Sequence, residues 1–347
     1  MDIKKFFKVI IFLLIFLLVT IPLTTMCVVG IGNIGEIKSC SRELYNLNKN
    51  TMDVLYIGSS STWAGVSPPV IYNETGIAGF NRSCTVQTSY TAYYYLLEAL
   101  QHQNPKVVVL ESETMFSPYD EAFMRTAVDS MKPSDVKNEA IDFYANLSDS
   151  PLWTKASFYI PYLYYNKSWS ELNFNNLYLY YSTFNSGYNN ICPMGGRLNS
   201  NINECELPEE KYATCDEVAI PESISEEYFV KILNLCNEKD IQVMVVTYPN
   251  ATGTYAQHNK IAEICKDNNT LYCDLMLLAD EIGVDPARDF SDAGEHMNIY
   301  GNVKVSKYIA KLLNENFDLP DRRGSEGYEF YDAYLETFLS KNGEYLK

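Results

Sequence analysis

The chain has 347 residues, of which 47% are hydrophobic, so it can bury the core of one sizeable domain. Its formal net charge of -17 disfavours nucleic-acid binding, because that function requires a basic surface. The same charge disfavours adsorption of the soluble part to anionic lipid headgroups.

The N-terminal segment carries the clearest local signal. Lys4, Lys5 and Lys8 precede an uncharged run from Val9 to Gly35, and about 20 apolar residues suffice to cross a bilayer. The lysines are expected to stay in the cytoplasm, which places the rest of the chain outside. A cleaved signal peptide is the alternative, but no small-x-small cleavage site ends the run convincingly. We therefore predict a retained signal anchor over residues 1–35, a single-pass location in the cell membrane and an extracytoplasmic C-terminal domain.

Beyond the anchor, residues 36–50 are predicted to form a polar helical stalk, and a regular alternation of strand and helix patterns follows. Short apolar runs predict buried parallel strands at Asp53–Ile57, Ile77–Phe80, Lys106–Leu110, Ile241–Thr247 and Leu271–Asp274. Helical spacing marks Ser89–His102, Glu121–Ala145 with a break at Pro133, Glu226–Glu238, Thr254–Asp267 and Ile299–Asn314. The alternation predicts an α/β domain over residues 51–319, with three α/β/α layers around a mostly parallel sheet and one transmembrane helix before it.

Two segments fall outside the alternation. Residues 151–222 are rich in Tyr and Asn and are predicted to be an insertion between the third and fourth strands, placed where it could cover the site. Residues 320–347 are predicted to be a polar C-terminal tail that contains an aromatic helix over Tyr328–Leu339.

The cysteine pattern bears on disulfides and metals. Eight of the nine cysteines lie in the soluble part, and an even number in an exported domain permits disulfides. Cys192, Cys205 and Cys215 cluster within the insertion, so a bridge is expected there, although the pairing cannot be read from sequence. No CxxC pair occurs, so neither a zinc site nor any other metal or cofactor is predicted.

The run from Gly58 to Ser61 follows the first predicted strand. In open α/β sheets, ligands bind beyond the carboxyl ends of the strands. A serine at this place can point into the crevice, and the start of the next helix offers free backbone N–H groups to an oxyanion. The alternative is a turn whose serines cap a helix.

His296 is the histidine best placed to assist such a serine. The chain has three histidines, and the other two lie on or at the end of predicted helices. His296 lies on a loop before the last helix, close to Asp289 and Asp292. A serine nucleophile requires a base within hydrogen-bond reach and a carboxylate that orients the base. The alternative is an exposed loop histidine, with Asn298 as a helix cap.

The stretches IGSSSTWAGVSP and SDAGEHMNIYG resemble the first and last sequence blocks of the SGNH, or GDSL, hydrolase superfamily. The resemblance is to its membrane-anchored bacterial type, related to DltD and the alginate O-acetylation proteins, and covers about residues 50–316. It implies an SGNH hydrolase-like fold with Ser60 as the nucleophile and His296 as the base. FNRSC resembles the second block, with Ser83 at the position of a glycine whose backbone N–H serves an oxyanion hole.

The acid of the triad departs from the family spacing. Asp292 lies four residues before His296, where the family has three. We assign Asp292 as the catalytic acid and keep Asp289 as the alternative acid.

The third block departs as well, because Glu111-Ser112-Glu113 replaces the Gly-x-Asn-Asp that supplies an oxyanion-hole Asn in the family. A carboxylate there would repel an oxyanion unless it were protonated or turned away. The predicted oxyanion hole therefore consists of the backbone N–H groups of Ser60 and Ser83, with the side chain of Gln87.

These assignments predict serine-dependent acyl-ester chemistry outside the cytoplasm, by an esterase or an O-acyltransferase. The resemblance implies an acylated glycan or teichoic-type polymer of the cell envelope as the substrate. It also implies a multi-spanning membrane acyltransferase as a partner. The alternative is a catalytically inactive SGNH-like module for glycan binding or envelope assembly. The altered acids favour that alternative, as do the aromatic residues of the insertion that could stack on sugars, namely Trp169, Tyr178, Tyr180 and Tyr181.

Overall fold

The structure of the protein, a computed structural model, describes residues 3–29, 34–165, 193–207 and 210–346, and for residues 21–29, 34, 35 and 193 it describes the backbone only. The chain divides into two compact units. The smaller unit comprises Met1–Ser39 with Val128–Tyr188, and the larger unit comprises Cys40–Ala127 with Asn189–Lys347.

The larger unit is built on a five-stranded sheet with the order β2-β1-β3-β4-β5. All neighbouring strands run parallel. The chain therefore starts at an inner strand and winds outward to both edges, as in doubly wound folds. The predicted α/β class and parallel sheet are confirmed. The strands are β1 (Val54–Ile57), β2 (Gly79–Asn81), β3 (Val107–Glu111), β4 (Gln242–Thr247) and β5 (Leu271–Asp274).

Helices occupy most of the remaining described chain. Those that precede β3 are α1 (Ile3–Val29), α2 (Ile34–Asn46), α3 (Ser60–Gly65), α4 (Pro68–Thr75) and α5 (Ser89–Leu100). Those between β3 and β4 are α6 (Glu121–Ser130), α7 (Asp135–Leu147), α8 (Pro151–Tyr159), α9 (Tyr162–Tyr165) and α10 (Ser223–Glu238). Those after β4 are α11 (Tyr255–Asp267), α12 (Ala279–Ile282), α13 (Ile299–Asn316) and α14 (Glu329–Asn342).

The core of the larger unit lies on both faces of the sheet. Successive side chains of a strand point to opposite faces, and the residues of β1 accordingly alternate between two apolar clusters. Leu55 packs in the cluster that α5 and α10 cover, with Leu96 and Phe229. Val54 packs in the cluster that α13 covers, with Ile309. Helices on both faces explain why β1 and β3 are entirely buried.

Two segments predicted to lie outside the α/β domain contribute to this core. Leu44 and Leu47, in the predicted stalk, are buried in the same cluster as Leu55. Tyr328 and Tyr331, in the predicted tail, belong to that cluster as well. The structure differs from the prediction here because a few apolar residues at helical spacing suffice to bury one face of an otherwise polar segment.

The N-terminal helix α1 extends from Ile3 to Val29. Among the residues described in full, no helix is both long and apolar enough to cross a bilayer. The predicted span, Val9–Gly35, continues beyond those residues, so the transmembrane anchor stays a prediction.

Much of the predicted insertion also lies outside the described residues, which end at Tyr165 and resume at Pro193. Trp169, Tyr178, Tyr180, Tyr181 and Cys192 fall in this gap. No disulfide is formed by the cysteines that the structure describes in full: Cys40, Cys84, Cys205, Cys215, Cys236, Cys265 and Cys273.

A buried ion pair joins the end of β2 to α5. Arg82 donates from Nε and Nη2 to Glu98 Oε2 at 3.0 and 2.9 Å, and both side chains are fully buried. Tyr45 donates its hydroxyl to the other oxygen of Glu98 at 2.8 Å. The pair therefore links three segments of the larger unit around one guanidinium.

We expect Glu98→Ala to lower the free energy of unfolding by roughly 3–5 kcal/mol, because the charge of Arg82 would stay buried without its carboxylate. Urea unfolding followed by circular dichroism measures the change. The matched control is Glu227→Ala, which removes the carboxylate from an exposed pair with Lys231 and should cost less than about 1 kcal/mol. Equal losses in the two variants would contradict the prediction.

Candidate active site

The turn between β1 and α3 presents Ser60. Ser59 is the N-cap of α3, and its Oγ accepts a hydrogen bond from the backbone N–H of Ser61 at 3.2 Å. Ser60 is thus the first residue of the helix, at the carboxyl end of a central strand. A Cβ at Gly58 would lie 2.0 Å from Thr62 Oγ1 and 2.1 Å from Glu111 Oε2. Only glycine fits this position while Thr62 and Glu111 hold their places.

The loop before α13 presents His296. Phe290 and Met297 form an antiparallel bridge that closes the loop. Asn298, the N-cap of α13, accepts hydrogen bonds from backbone N–H groups of the first helical turn at 2.9 and 3.3 Å. Its amide also donates to the carbonyl of Phe290 at 3.0 Å. The loop is therefore fixed at both ends, and His296 extends from a rigid support.

Ser60, His296 and Asp292 form a continuous hydrogen-bonded chain. His296 Nε2 lies 2.6 Å from Ser60 Oγ. His296 Nδ1 is hydrogen-bonded to Asp292 Oδ2. The other carboxylate oxygen of Asp292 accepts hydrogen bonds from the backbone N–H groups of Glu295, at 2.9 Å, and of His296, at 3.0 Å. The structure thus brings together, from distant parts of the chain, the serine, the histidine and the carboxylate that the sequence predicted as nucleophile, base and acid.

The pKa of Asp292 indicates which of the three residues donates and which accepts in these hydrogen bonds. Partial burial raises the pKa of Asp292, but hydrogen bonds from the ring and backbone of His296 outweigh burial and leave the pKa below its ordinary value. Asp292 is therefore ionised at neutral pH and can only accept hydrogen bonds. The proton of His296 then resides on Nδ1, which leaves Nε2 free to accept the proton of Ser60.

Asp289, the alternative acid, has other partners. Its Oδ2 accepts from Lys304 Nζ at 2.6 Å and from the backbone N–H of Asp285 at 2.7 Å, and the side chain is fully buried. The geometry therefore selects Asp292. Asp292 reaches the imidazole despite the four-residue spacing, because its hydrogen bonds with the backbone N–H groups of Glu295 and His296 turn its side chain back toward the ring.

The loop after β2 brings Ser83 beside the nucleophilic turn. The backbone N–H of Cys84 donates to the carbonyl of Gly58 at 3.2 Å. Among the described residues, no acceptor is found for the backbone N–H of Ser60 or of Ser83. Both N–H groups are therefore available as donors to an oxyanion, as the sequence predicted.

The side chains of Ser83 and Gln87 are fully buried. The hydroxyl of Ser83 and both polar atoms of the Gln87 amide have no hydrogen-bond partner in the described part of the chain. Between them, Val86 has a φ of 48°, in the left-handed region where β-branched residues are rare. Unpaired polar groups and backbone strain often mark functional loops. A substrate carbonyl that reached the Gln87 amide would find a donor available.

The acids at the end of β3 are turned toward the nucleophilic turn. Glu111 is fully buried and accepts hydrogen bonds from the backbone N–H of Ser59, from Ser59 Oγ at 2.8 Å and from Thr62 Oγ1 at 2.6 Å. Burial raises the pKa of Glu111. Glu111 is thus hydrogen-bonded to the residues on either side of Ser60.

Glu113 connects the same turn to the end of β4. It accepts hydrogen bonds from the amide of Asn250 and from Ser61 Oγ, the latter at 3.4 Å. Sequence reasoning did not include Asn250 or Thr62. Asn250 follows β4. Because parallel strands present their carboxyl ends at one edge of the sheet, its position could have been predicted to lie near Ser60.

A second His–Asp pair joins the first turn of α11 to the end of β5, where His258 Nδ1 is 2.8 Å from Asp274 Oδ2. The described partners of His258 include no serine, so Ser60 is served by His296. Within the described residues, no group of three or more His, Cys, Asp or Glu side chains could hold a metal ion.

No family model matches the chain, and no curated protein matches it either. The chain is similar to several solved structures, and two of them are described here. A putative acylhydrolase from Bacteroides fragilis is 11% identical with a TM-score of 0.38, over 79% of this chain and 94% of that chain. A GDSL-like lipase from Bacteroides thetaiotaomicron is 11% identical with a TM-score of 0.40, over 82% of this chain and 100% of that chain. At this similarity neither structure assigns a family, and the chemistry of the site follows from its own geometry.

Proposed function

We propose that the protein performs serine-dependent acyl-ester chemistry, as an esterase or an O-acyltransferase. One observation carries the proposal: Ser60, His296 and Asp292 are joined by hydrogen bonds in the order that nucleophilic catalysis requires. Their position at the carboxyl ends of parallel strands is where open α/β sheets bind ligands.

The reaction proceeds in two halves. Ser60 Oγ attacks the ester carbonyl while His296 Nε2 takes the serine proton, and the backbone N–H groups of Ser60 and Ser83 stabilise the oxyanion. His296 then returns the proton to the leaving alcohol as the C–O bond breaks, which leaves an acyl-serine. In the second half, water or a hydroxyl acceptor attacks the acyl-serine, and His296 takes and returns the proton again. Water as the acceptor gives hydrolysis, and a glycan or polyol hydroxyl gives transfer.

Two features that favoured an inactive binding module no longer favour it. Asp292 contacts His296 despite its altered spacing. Glu111 is occupied by Ser59 and Thr62. The geometry therefore supports catalysis over binding alone.

We further propose that the reaction takes place outside the cytoplasm, on an acylated glycan or teichoic-type polymer of the cell envelope. The support is the uncharged run after Lys8, together with the exposed apolar side chains of α1, among them Leu14 at 54%, Phe16 at 53% and Leu18 at 72% exposure. An uncharged run of this length is suited to a membrane anchor. An anchored acyl-transfer protein would act beside a multi-spanning membrane acyltransferase that supplies acyl groups.

A chromogenic acetyl ester tests the proposal and separates its two forms. We expect a burst of about one equivalent of released alcohol, because the acyl-serine accumulates before it is discharged. Mass spectrometry then follows the acetyl group with and without added polyol or oligosaccharide. Acetate as the product identifies an esterase, and acetylated acceptor identifies a transferase. Glycan binding by the native protein and by Ser60→Ala, without a burst in either, would contradict catalysis and select the binding module.

A further inference from the structure

We propose that an exposed apolar face of α8 lies against the membrane that α1 is proposed to enter. Four residues form this surface, which we call the α8 face: Leu152, Trp153, Tyr159 and Ile160. Its occupant is the boundary between the headgroups and the acyl chains of the bilayer. The inference rests on the proposed membrane anchor and adds a second contact between the smaller unit and the same lipid.

The side chains of the α8 face are large, apolar and turned to solvent. Leu152 is 87% exposed, Tyr159 is 55% exposed, and Trp153 and Ile160 are each 54% exposed. Leu152 and Tyr159 are seven positions apart, as are Trp153 and Ile160 at the end of the helix, and this spacing places each pair on one side of a helix. Large apolar side chains that gather on a surface mark a site of contact with a protein or a membrane.

The opposite side of α8 is covered by the protein itself. Ser157 and Phe158 are buried, and the helix packs against α7 and α9. The helix is therefore held in place along one side while the other side stays bare. The exposure of the α8 face is a property of a packed helix rather than of a loose segment.

The α8 face belongs to the same compact unit as the proposed anchor. The helix α9 begins two residues after Ile160 and packs against both α8 and α1. A bilayer that surrounds α1 therefore lies within reach of the α8 face. Once α1 is inserted, contact of the α8 face with lipid is an intramolecular event, so a small apolar surface suffices to hold it there.

The chemistry of the α8 face favours the apolar boundary of a bilayer over charged headgroups. Trp and Tyr are enriched at membrane–water interfaces. The hydroxyl of Tyr159 donates to Asn138 Oδ1 at 2.9 Å, so the polar end of this ring already has a partner. Lys155, the one charged residue of α8, forms an ion pair with Asp142. The net charge of -17 opposes attraction to anionic lipid, so we expect the contact to be apolar and insensitive to salt.

Fluorescence quenching in proteoliposomes tests the α8 face. The full chain is reconstituted into phosphatidylcholine vesicles with and without bromine on the acyl chains, because bromine quenches tryptophan on contact. We expect brominated lipid to quench the native protein, and Trp153→Phe to lose that part of the quenching while it keeps an apolar ring. Trp63 is fully buried and Trp169 is present in both proteins, so the difference between them reports Trp153.

Two further variants separate an apolar contact from an electrostatic one. Leu152→Glu places a charge on the α8 face and should lose most of the quenching of Trp153, because a carboxylate is costly to bury in lipid. Lys155→Gln is the matched control, since it changes an exposed residue of the same helix and removes its only cation. It should keep the native quenching, and high salt should leave the quenching unchanged as well. Circular dichroism checks that both variants are folded.

The outcomes separate the α8 face from the anchor, which resistance to carbonate extraction reports by itself. If the protein resists extraction but Trp153 is not quenched, the α8 face is rejected and the anchor stands. If carbonate releases the protein and added vesicles still quench Trp153, the anchor is rejected and the α8 face stands; without that quenching, both are rejected. Loss of quenching in Lys155→Gln or at high salt would overturn the apolar contact.

A second copy of the chain is the other occupant that the experiment can detect. An emission of Trp153 that changes with protein concentration and is not quenched by brominated lipid would indicate this contact and overturn the proposal. None of these measurements depends on ester turnover by Ser60, so the failure of catalysis and the failure of the α8 face are distinguishable.

Discussion

Ser60→Ala should reduce ester turnover by roughly 10⁶-fold, because removal of the nucleophile abolishes the acyl-enzyme route and leaves only transition-state binding. The same variant should lose all covalent labelling by a fluorophosphonate. His296→Ala should fall to a similar level, since Ser60 Oγ depends on His296 Nε2, 2.6 Å away, to remove its proton. Initial rates with a chromogenic ester, together with gel-based detection of the label, measure both effects.

Ser117→Ala is the control for these variants. Ser117 lies shortly after β3, the strand that ends at Glu111. Its hydroxyl donates to the backbone carbonyl of Glu113 at 3.1 Å. We expect native labelling and nearly native turnover from this variant. Equal labelling of the native protein, Ser60→Ala and His296→Ala would show that the reactive serine lies elsewhere.

Asp292→Asn should lower turnover by roughly 10⁴-fold with little change in stability, because the variant imposes the wrong tautomer on the imidazole. The Asn oxygen would take the place of Oδ1, which accepts the backbone N–H groups of Glu295 and His296. The amide nitrogen would then face His296 Nδ1 and donate to it. The imidazole proton would move to Nε2, which could no longer accept the proton of Ser60. The pH profile of turnover and thermal unfolding measure the two parts of this expectation.

Asp289→Asn is the matched control, since it makes the same change three residues earlier on the same loop. Asp289 binds Lys304 and the backbone of Asp285. Asp289→Asn should therefore lower stability and leave the tautomer of His296 unchanged. A larger loss of turnover in Asp289→Asn than in Asp292→Asn, with both proteins folded, would overturn the choice of acid.

The sequence predicted the parts of the fold that depend on local pattern. Buried strands such as β1 and β3 appear as short apolar runs, and the break of α6 from α7 follows from Pro133. Shorter elements were missed. The helix α4 begins with Pro68 and Pro69, which suit a first helical turn but also read as a loop.

The sequence could place Ser60 and His296 at one edge of the sheet, because strand order and loop position determine that edge. It could not orient Glu111, which was expected to disfavour an oxyanion. Its side chain turns to Ser59 and Thr62 because these residues supply three hydrogen-bond donors to it. Such an orientation depends on contacts between residues about 50 positions apart, which local periodicity does not encode. The same is true of Asn250, which meets Glu113 only when β3 and β4 pair.

The contact between the two ends of the domain has a consequence for biosynthesis. Arg322 forms a bidentate ion pair with Asp53, immediately before β1, with both distances at 2.8 Å. Tyr331, nearby in the chain, is fully buried in the cluster that contains Leu55. A strand that is synthesised early thus receives packing partners from residues that the ribosome delivers much later, since Arg322 follows Asp53 by 269 positions. The domain therefore completes its fold only after Arg322 and Tyr331 have been synthesised, and a nascent chain halted before Arg322 would expose part of its core.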